Sequence, residues 1–285
     1  MSIHSTEIDV LPAGPRYSIC TLVTKPDQYL DMLGSFRGRG FTEPDCEFLF
    51  VDNSAGNKHD GFSGYNAFLS AARGDLIILC HQDILLLADG REALDQRLAE
   101  LTALDPVWGV CGNAGTKPSG EYAVRITDSY VANKSLGPFP AEVIGLDENF
   151  VVVRRRANLG ITPHLQGFHL YALELCASAS SLGMRSYVID FHLRHIGGVL
   201  KVDQSYRDVH NAIVARRSGQ LRPAVASSSS NDSAAFVSGW PLLDRIGNRL
   251  LRSRLRKHVF AFARALHAPA SHATRRTRKT AKSRT

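Results

Sequence analysis

The sequence predicts an α/β protein: a mostly parallel central sheet flanked by helices, with a basic amphipathic helix added at the C-terminus. Strand-length apolar runs alternate with segments of helical periodicity, as in a parallel sheet covered on both faces. Polar residues close successive runs: Thr21 and Thr24, then Asp52-Asn53, then His81-Gln82-Asp83. Ligands bind beyond the carboxyl ends of such strands, so this is where a site is expected. Near the C-terminus, leucines and arginines recur at helical spacing after a serine-rich stretch.

Tyr17–Val23 reads as the first strand, followed by Lys25-Pro26 and a helix with Tyr29, Leu30, Leu33 and Phe36 on one face. Glu47–Val51 is a second strand, and a polar Gly/Asn/Lys loop leads to a helix over Ser63–Ala72 that Gly74 stops. Leu76–Cys80 is the third strand, Arg91–Leu104 a helix and Val107–Cys111 a fourth strand. Short strands then follow among Gly and Pro, including Ala141–Ile144 and Phe150–Val153. A helix over Leu170–Leu182, ended by Gly183, precedes the strand Ser186–Ile189. Beyond it lie Asp190, His192, His195 and the pair Gly197-Gly198.

These segments divide the chain into a lead-in (1–15), an α/β domain (16–217), a serine-rich linker (218–238), a basic amphipathic helix (239–266) and a low-complexity basic tail (267–285). Thirteen of the 34 Lys/Arg residues lie from Arg245 onward with no acid among them. The preceding part therefore holds 21 bases against 27 acids, so the basic pI belongs to the tail. An acidic body argues against a nucleic-acid-binding core, and no RNA- or DNA-reading motif is present. The five cysteines are odd in number, far apart and mostly inside apolar runs, as expected of small buried residues in a reducing compartment. No basic segment leads into an apolar stretch at the N-terminus, and no apolar run approaches the roughly 20 residues that span a bilayer. The expected location is cytoplasmic.

A carboxylate and an imidazole two residues apart at a strand end can point the same way. An oxygen-rich site built there suits Mg²⁺ or Mn²⁺ held together with a diphosphate. A lone strand-end Asp is more often a turn or cap; three polar closures on successive strands carry more weight.

Val51-Asp52-Asn53-Ser54, Gly64-Tyr65-Asn66-Ala67 and Ala71-Ala72-Arg73-Gly74-Asp75, leading to His81-Gln82-Asp83-Ile84, together resemble the family 2 glycosyltransferases. The resemblance is to the bacterial branch whose usual Asp-x-Asp reads His-Gln-Asp. Gly167-Phe168-His169-Leu170-Tyr171-Ala172-Leu173-Glu174-Leu175-Cys176, Gly183 and His195-Ile196-Gly197-Gly198 resemble its second half, so the likeness spans roughly residues 17–215. It implies a GT-A fold and a metal-dependent, inverting transferase with a nucleotide-diphosphate sugar donor. The implied acceptor is a cell-surface polysaccharide or lipid-linked glycan.

By that resemblance Asp52 contacts the uracil or ribose, with Thr21 and Thr24 lining the same pocket, and Asn53, Asn66 and Gln82 belong to the donor site. Asp83 binds the divalent metal (Mg²⁺ or Mn²⁺), His81 stands where the first acid of the motif lies, and His195 adds a metal or diphosphate contact. The bland alternative for His195 is a loop histidine beside a glycine turn. The acid expected after Tyr171 falls on Ala172, leaving His169 or Glu174 as the base; Glu174 also reads as a structural carboxylate. Arg154-Arg155-Arg156 fits a phosphate contact or a solvated turn, and Trp108 and Trp240 read as core or interface aromatics. The basic helix and tail (239–285) fit an anionic membrane surface, which would make the enzyme peripheral on the inner face of the plasma membrane. The competing classes are a nucleotide-sugar or glycan-binding module that has lost catalysis, and a nucleic-acid-binding protein acting through the tail.

Overall fold

A computed structural model describes residues 14–197, 204–217, 224–226, 235–237 and 241–267. In chain order it contains β1 (Tyr17–Val23), α1 (Pro26–Gly38), β2 (Cys46–Asp52), α2 (Gly61–Ala71), β3 (Leu76–Cys80), β4 (Ile84–Leu86) and α3 (Arg91–Leu104). Next come β5 (Val110–Gly112), β6 (Ala114–Thr116), β7 (Tyr122–Thr127), β8 (Lys134–Leu136), β9 (Ala141–Val143), β10 (Gly145–Leu146) and β11 (Phe150–Arg154). They are followed by α4 (Tyr171–Ser181), β12 (Ser186–Val188), β13 (Leu193–His195), α5 (Gln204–Arg217), β14 (Ala224–Ala226), β15 (Ala235–Val237), α6 (Pro241–Leu251) and α7 (Arg256–His267).

Seven strands form the central sheet in the order β2-β1-β3-β11-β5-β12-β9. β1 pairs parallel with β2 and β3, and β5 pairs parallel with β12, whereas β11 runs antiparallel between β3 and β5 and β9 antiparallel at the edge. The mostly parallel α/β sheet expected from the sequence is thus the one the chain forms. Side-chain alternation divides its core into two layers. Ile77, Leu79, Val151 and Val153 share one apolar cluster with Phe62, Tyr65 and Phe68 of α2 and Leu173 of α4. Ile19, Ile78, Phe150 and Val152 share the other with Met32 and Phe36 of α1 and Leu94 and Leu98 of α3. Every residue of β3 is buried, so the strand carries no polar face. Burying each of its aliphatic side chains is worth about 1.5–3 kcal/mol, enough to anchor the strand that leads into His81-Gln82-Asp83.

A smaller sheet runs β10-β6-β7-β13-β4, with β8 on β7. It packs a second layer of hydrogen bonding beyond the end of β3, and β4 enters it two residues after Gln82.

Several boundaries shift for identifiable reasons. On α1 the buried residues are Tyr29, Met32 and Phe36, while Leu30 is 63% exposed, because spacings of three and four select Met32 and not Leu30. α2 begins two residues before Ser63 because Asp60 caps it, accepting from the Ser63 amide in a capping box. Gly74 is not a helix cap: a Cβ there would lie 2.5 Å from the Ser18 amide, so glycine is needed for the close approach to β1. All five cysteines are free and buried.

The expected single helix over 239–266 is two helices, α6 and α7, interrupted at Arg252–Leu255, where the Ser253 hydroxyl bonds the Leu250 carbonyl and accepts from the Leu255 amide. Leu251, Val259 and Phe260 form their buried face, packed with Ile144 and Leu250. Within the expected linker, β14 and β15 pair antiparallel. The remaining linker residues, the first 13 residues of the lead-in, Gly198, Trp240 and residues 268–285 of the tail lie outside the described residues.

Candidate metal centre

His81, Gln82 and Asp83 follow directly on β3. The His81 amide continues the ladder with the antiparallel neighbour, donating to the Asn149 carbonyl at 3.0 Å. Asp83 then enters β4, whose Ile84 pairs with His195 of β13, and the Ile196 amide donates to the Asp83 carbonyl at 2.9 Å. The central sheet therefore supplies His81 and Asp83, and the smaller sheet returns His195 to them from more than a hundred residues later.

His195 Nε2 lies 3.4 Å from Asp83 Oδ1, and His81 Nδ1 lies 3.9 Å from the same oxygen. The two imidazole centroids are 5.5 Å apart. One ligand atom from each of His81, Asp83 and His195 lies within 4.8 Å of the others, a spacing that could hold one metal ion. Gly197 closes against them: a Cβ there would fall 2.6 Å from Asp83 Oδ2 and 2.9 Å from His195 Nε2. Only glycine lets the backbone come this near.

The charges are coupled. Burial alone would raise the Asp83 carboxyl, but the hydrogen bond to His195 and the neighbouring imidazoles hold it below its ordinary value. Burial likewise acts to lower His195, and the Asp83 bond with the charges of Asp83, Asp147 and Asp128 outweighs it and raises the imidazole. His81 goes the other way, lowered first by burial and then by the charge of His195. Asp83 favours a proton on His195 while burial disfavours one on His81, and a divalent ion bound here would compete with the first.

Gln82 does not face the group. Its Oε1 accepts from the amides of Thr24 and Lys25, both at 2.8 Å, and its Nε2 donates to Thr24 Oγ1. It thereby ties down the segment that enters α1, whose N-cap Lys25 makes no side-chain cap bond. Thr21 is fully buried: the alternation that puts Tyr17 and Ile19 on the α1 side puts its hydroxyl against Met32 Sδ and Cys80 Sγ, so it lines no pocket. Asp52 is exposed at the tip of β2, and two hydrogen bonds from Ser54 hold its carboxyl below its usual range. Asn53 is buried and ties the following loop, donating to the His59 carbonyl and accepting from the Lys58 amide. Asn66 bonds both backbone groups of Ile161, at 2.8 Å each.

Glu174 is 1% exposed and its Oε2 accepts from the Thr162 hydroxyl at 2.6 Å. Its carboxylate is committed inside the core, which corrects the expectation of a base there. His169 is half-buried just before α4, its ring 5.7 Å from that of Tyr206. Ala172 is fully buried, so an acid at that position would not open to solvent in this chain. Arg154 is buried with its guanidinium 4.9 Å over the Trp108 ring and bonded to the Pro106 carbonyl. Arg155 faces Asp75 and Arg156 reaches Pro106, so the arginine triplet is a structural turn, and Trp108 is core.

Asp147, Glu148 and Tyr171 also surround the group. The Tyr171 hydroxyl lies 2.9 Å from His81 Nε2 and donates to the Tyr65 hydroxyl at 3.3 Å. Glu148 accepts from the Leu170 amide at the start of α4 and is half-buried; burial, then the charge of Asp147, pushes its carboxyl up to about 8. For Asp147 and Glu148 the signal is a pair of acids one residue before the apolar run Phe150–Val153, which reads equally as a loop.

The chain thus defines an α/β protein with a His-Asp-His group at the carboxyl end of β3, inside its central sheet. No family model matches it. It belongs to the family of the protein named "ATP synthase subunits region ORF 6" from Fuscovulum blasticum, with 36% identity over 197 residues that cover 67% of this chain and 79% of that one. That name states no activity. Among solved structures, it is similar to GalNAc-T7 with UDP, GalNAc and Mn²⁺ at 8% identity and a TM-score of 0.46, over 66% of this chain and 45% of that one. The protein therefore spans less than half of that structure's length. It is also similar to the mannosyltransferase PcManGT of Pyrobaculum calidifontis with GDP-Man and Mn²⁺, at 13% identity and a TM-score of 0.45, over 94% of this chain and 79% of that one. The third is S. aureus TarS residues 1–349, at 10% identity and a TM-score of 0.48, over 84% and 73%.

Proposed function

We propose that the protein is a nucleotide-sugar-dependent, inverting glycosyltransferase that adds a sugar to a cell-surface polysaccharide or lipid-linked glycan. The observation carrying this is the convergence of His81, Asp83 and His195 at the carboxyl end of β3, the position where open α/β sheets bind ligands. The proposed ion is Mg²⁺ or Mn²⁺, and of the two Mn²⁺ takes two imidazoles beside a carboxylate more readily, since Mg²⁺ favours an all-oxygen shell. When bound, such an ion neutralises charge on a departing diphosphate.

The chain's own residues would do the rest. His81, Asp83 and His195 would hold such an ion, and Asp52, at the end of β2, is proposed for the nucleoside end of the donor. The acceptor hydroxyl attacks the anomeric carbon as the bond to the diphosphate oxygen breaks, and its proton passes to a base. Glu148 is proposed for that base ahead of His169: it is half-buried, sits at the N-terminus of α4, and ionises near the operating pH. Its neighbour Asn149 accepts from the His81 amide, and the charge of Glu148 itself is felt at Tyr171, which contacts His81.

A Mn²⁺-dependent transfer or donor-hydrolysis assay with UDP- and GDP-sugars tests this. Asp83→Ala should abolish turnover; Glu148→Gln should lower kcat at least about 100-fold while donor binding persists. If the wild-type chain binds donors and turns over none, the buried Ala172 favours the alternative, a donor-binding module without catalysis. If it binds neither Mn²⁺ nor any donor, both readings fail.

α6 and α7 are proposed to rest on anionic lipid. Leu243, Ile246, Leu255 and Phe262 are exposed there among Arg245, Arg249, Arg252, Arg254 and Lys257, all exposed too. Among the described residues no helix is long and apolar enough to cross a membrane.

A further inference from the structure

The hydroxyl of Tyr171 has a single proton, and the geometry of its neighbours determines where that proton goes. Tyr171 donates to Tyr65 at 3.3 Å, so at its 2.9 Å contact with His81 Nε2 it is left to accept. An accepting oxygen requires a proton on Nε2. The lone pair of the neutral ring is then on Nδ1, the atom that faces Asp83 at 3.9 Å. His195 presents its own Nε2 to the same carboxylate, so both rings turn a ligating nitrogen toward one point.

We propose that Tyr171, with Tyr65 behind it, is a positioning device that fixes the tautomer of His81 so that Nδ1 is the available cation ligand. The surroundings make the device effective. Tyr65 is 1% exposed and Tyr171 3%, their rings stand 4.4 Å apart, and Phe62 packs edge-on to Tyr171. Neither hydroxyl has solvent at hand to exchange partners with, so the direction of the chain His81, Tyr171, Tyr65 is set by side chains. The Nε2 edge of the His81 ring faces the buried Tyr171 hydroxyl, and its Nδ1 edge faces Asp83. A proton misplaced to Nδ1 would block the site and leave Nε2 to a donating hydroxyl instead. Partners on the far nitrogen of a ligating histidine commonly change metal affinity by about 10–100-fold.

The inference rests on the proposed cation site, but it is read without a metal. Nitrogen-15 NMR of the ion-free full chain, at a pH where His81 is neutral, distinguishes the two tautomers. The expected result is protonated Nε2. In Tyr171→Phe the inward nitrogen loses its acceptor, so the proton should move to Nδ1 and Mn²⁺ affinity, measured by calorimetry, should fall about 10–100-fold. Tyr65→Phe is the second variant. It keeps the hydroxyl against His81 but removes the acceptor of its proton, so Tyr171 turns to donate and the same tautomer change follows. A merely structural Tyr171 would leave the Tyr65→Phe tautomer untouched. The proposal is overturned by Nδ1 protonation in the wild-type chain, or by variants that keep the wild-type tautomer. If the wild-type chain binds no Mn²⁺ while the tautomers switch as stated, the cation site is wrong and the positioning device stands.

Discussion

Glu148→Gln separates one titration from all others in the protein. In the folded chain burial and Asp147 push this carboxyl from an ordinary value of 4.5 up to about 8. Below pH 4.5 both folded and unfolded chains hold the proton, and Glu148 contributes no pH dependence. Between 4.5 and about 8 the unfolded chain releases its proton while the folded chain keeps it. The folded state then binds more protons, so its stability falls as pH rises across that window. Each pH unit is worth about 1.4 kcal/mol, so from pH 5 to pH 8 the loss is on the order of 4 kcal/mol, against a typical total of about 5–15. Glutamine can accept from the Leu170 amide as the carboxyl does but has nothing to titrate. Urea unfolding of both proteins at pH 5, 6, 7 and 8 should give curves that converge at the acid end, with the variant the more stable by several kcal/mol at pH 8. Parallel curves, offset by the same amount at each pH, would refute the reasoning.

Asp83→Asn should lower the His195 pKa, read by NMR, because Asp83 is what raises it. In the wild type the pair stabilises most between roughly pH 4 and 6.5; its contribution fades as pH falls through the depressed Asp83 value or rises through the elevated His195 value. Gly197→Ala should weaken Mn²⁺ binding with little change in the unfolding midpoint, since the added Cβ meets Asp83 and His195 and not the core; unchanged affinity would count against the close approach. Asn66→Ala strands both backbone groups of Ile161 and should cost about 2–4 kcal/mol in a denaturant titration. Paired Ile246→Glu and Phe262→Glu changes should abolish salt-sensitive binding to anionic liposomes; binding that persists would remove α6 and α7 from that role.

How far the site was legible in the sequence depended on which physical signal each residue leaves. β3 was plain because a strand buried on both faces must be a continuous apolar run, and His81-Gln82-Asp83 was plain because it ends one. The direction of β11 was not, since an apolar run reads the same whichever way it points. That reversal brings the beginning of β11, and not its end, beside His81, so Asp147 and Glu148 escape a search confined to carboxyl ends of strands. Thr21 misled for a related reason: in a doubly buried strand, polarity alone does not say which layer a hydroxyl enters. Gln82, Asn53 and Asn66 were picked out as polar residues in the right places, yet their amides are occupied with backbone groups, a use that composition and spacing do not reveal.

The pairing of His195 with Ile84 has a bearing on which changes in length this family can absorb. Sliding β13 by one residue along β4 would bring Arg194 or Ile196 opposite Ile84 and turn the imidazole to the other face of the small sheet. An insertion within β13, or just before it at Asp190–His192, would therefore take His195 out of the site. The exposed stretch around Ser129–Asn133 feeds β8 at the margin of the same sheet and should tolerate such changes. Among homologues, variation in length should thus crowd into one loop and be missing from the other, a pattern visible before any protein is purified.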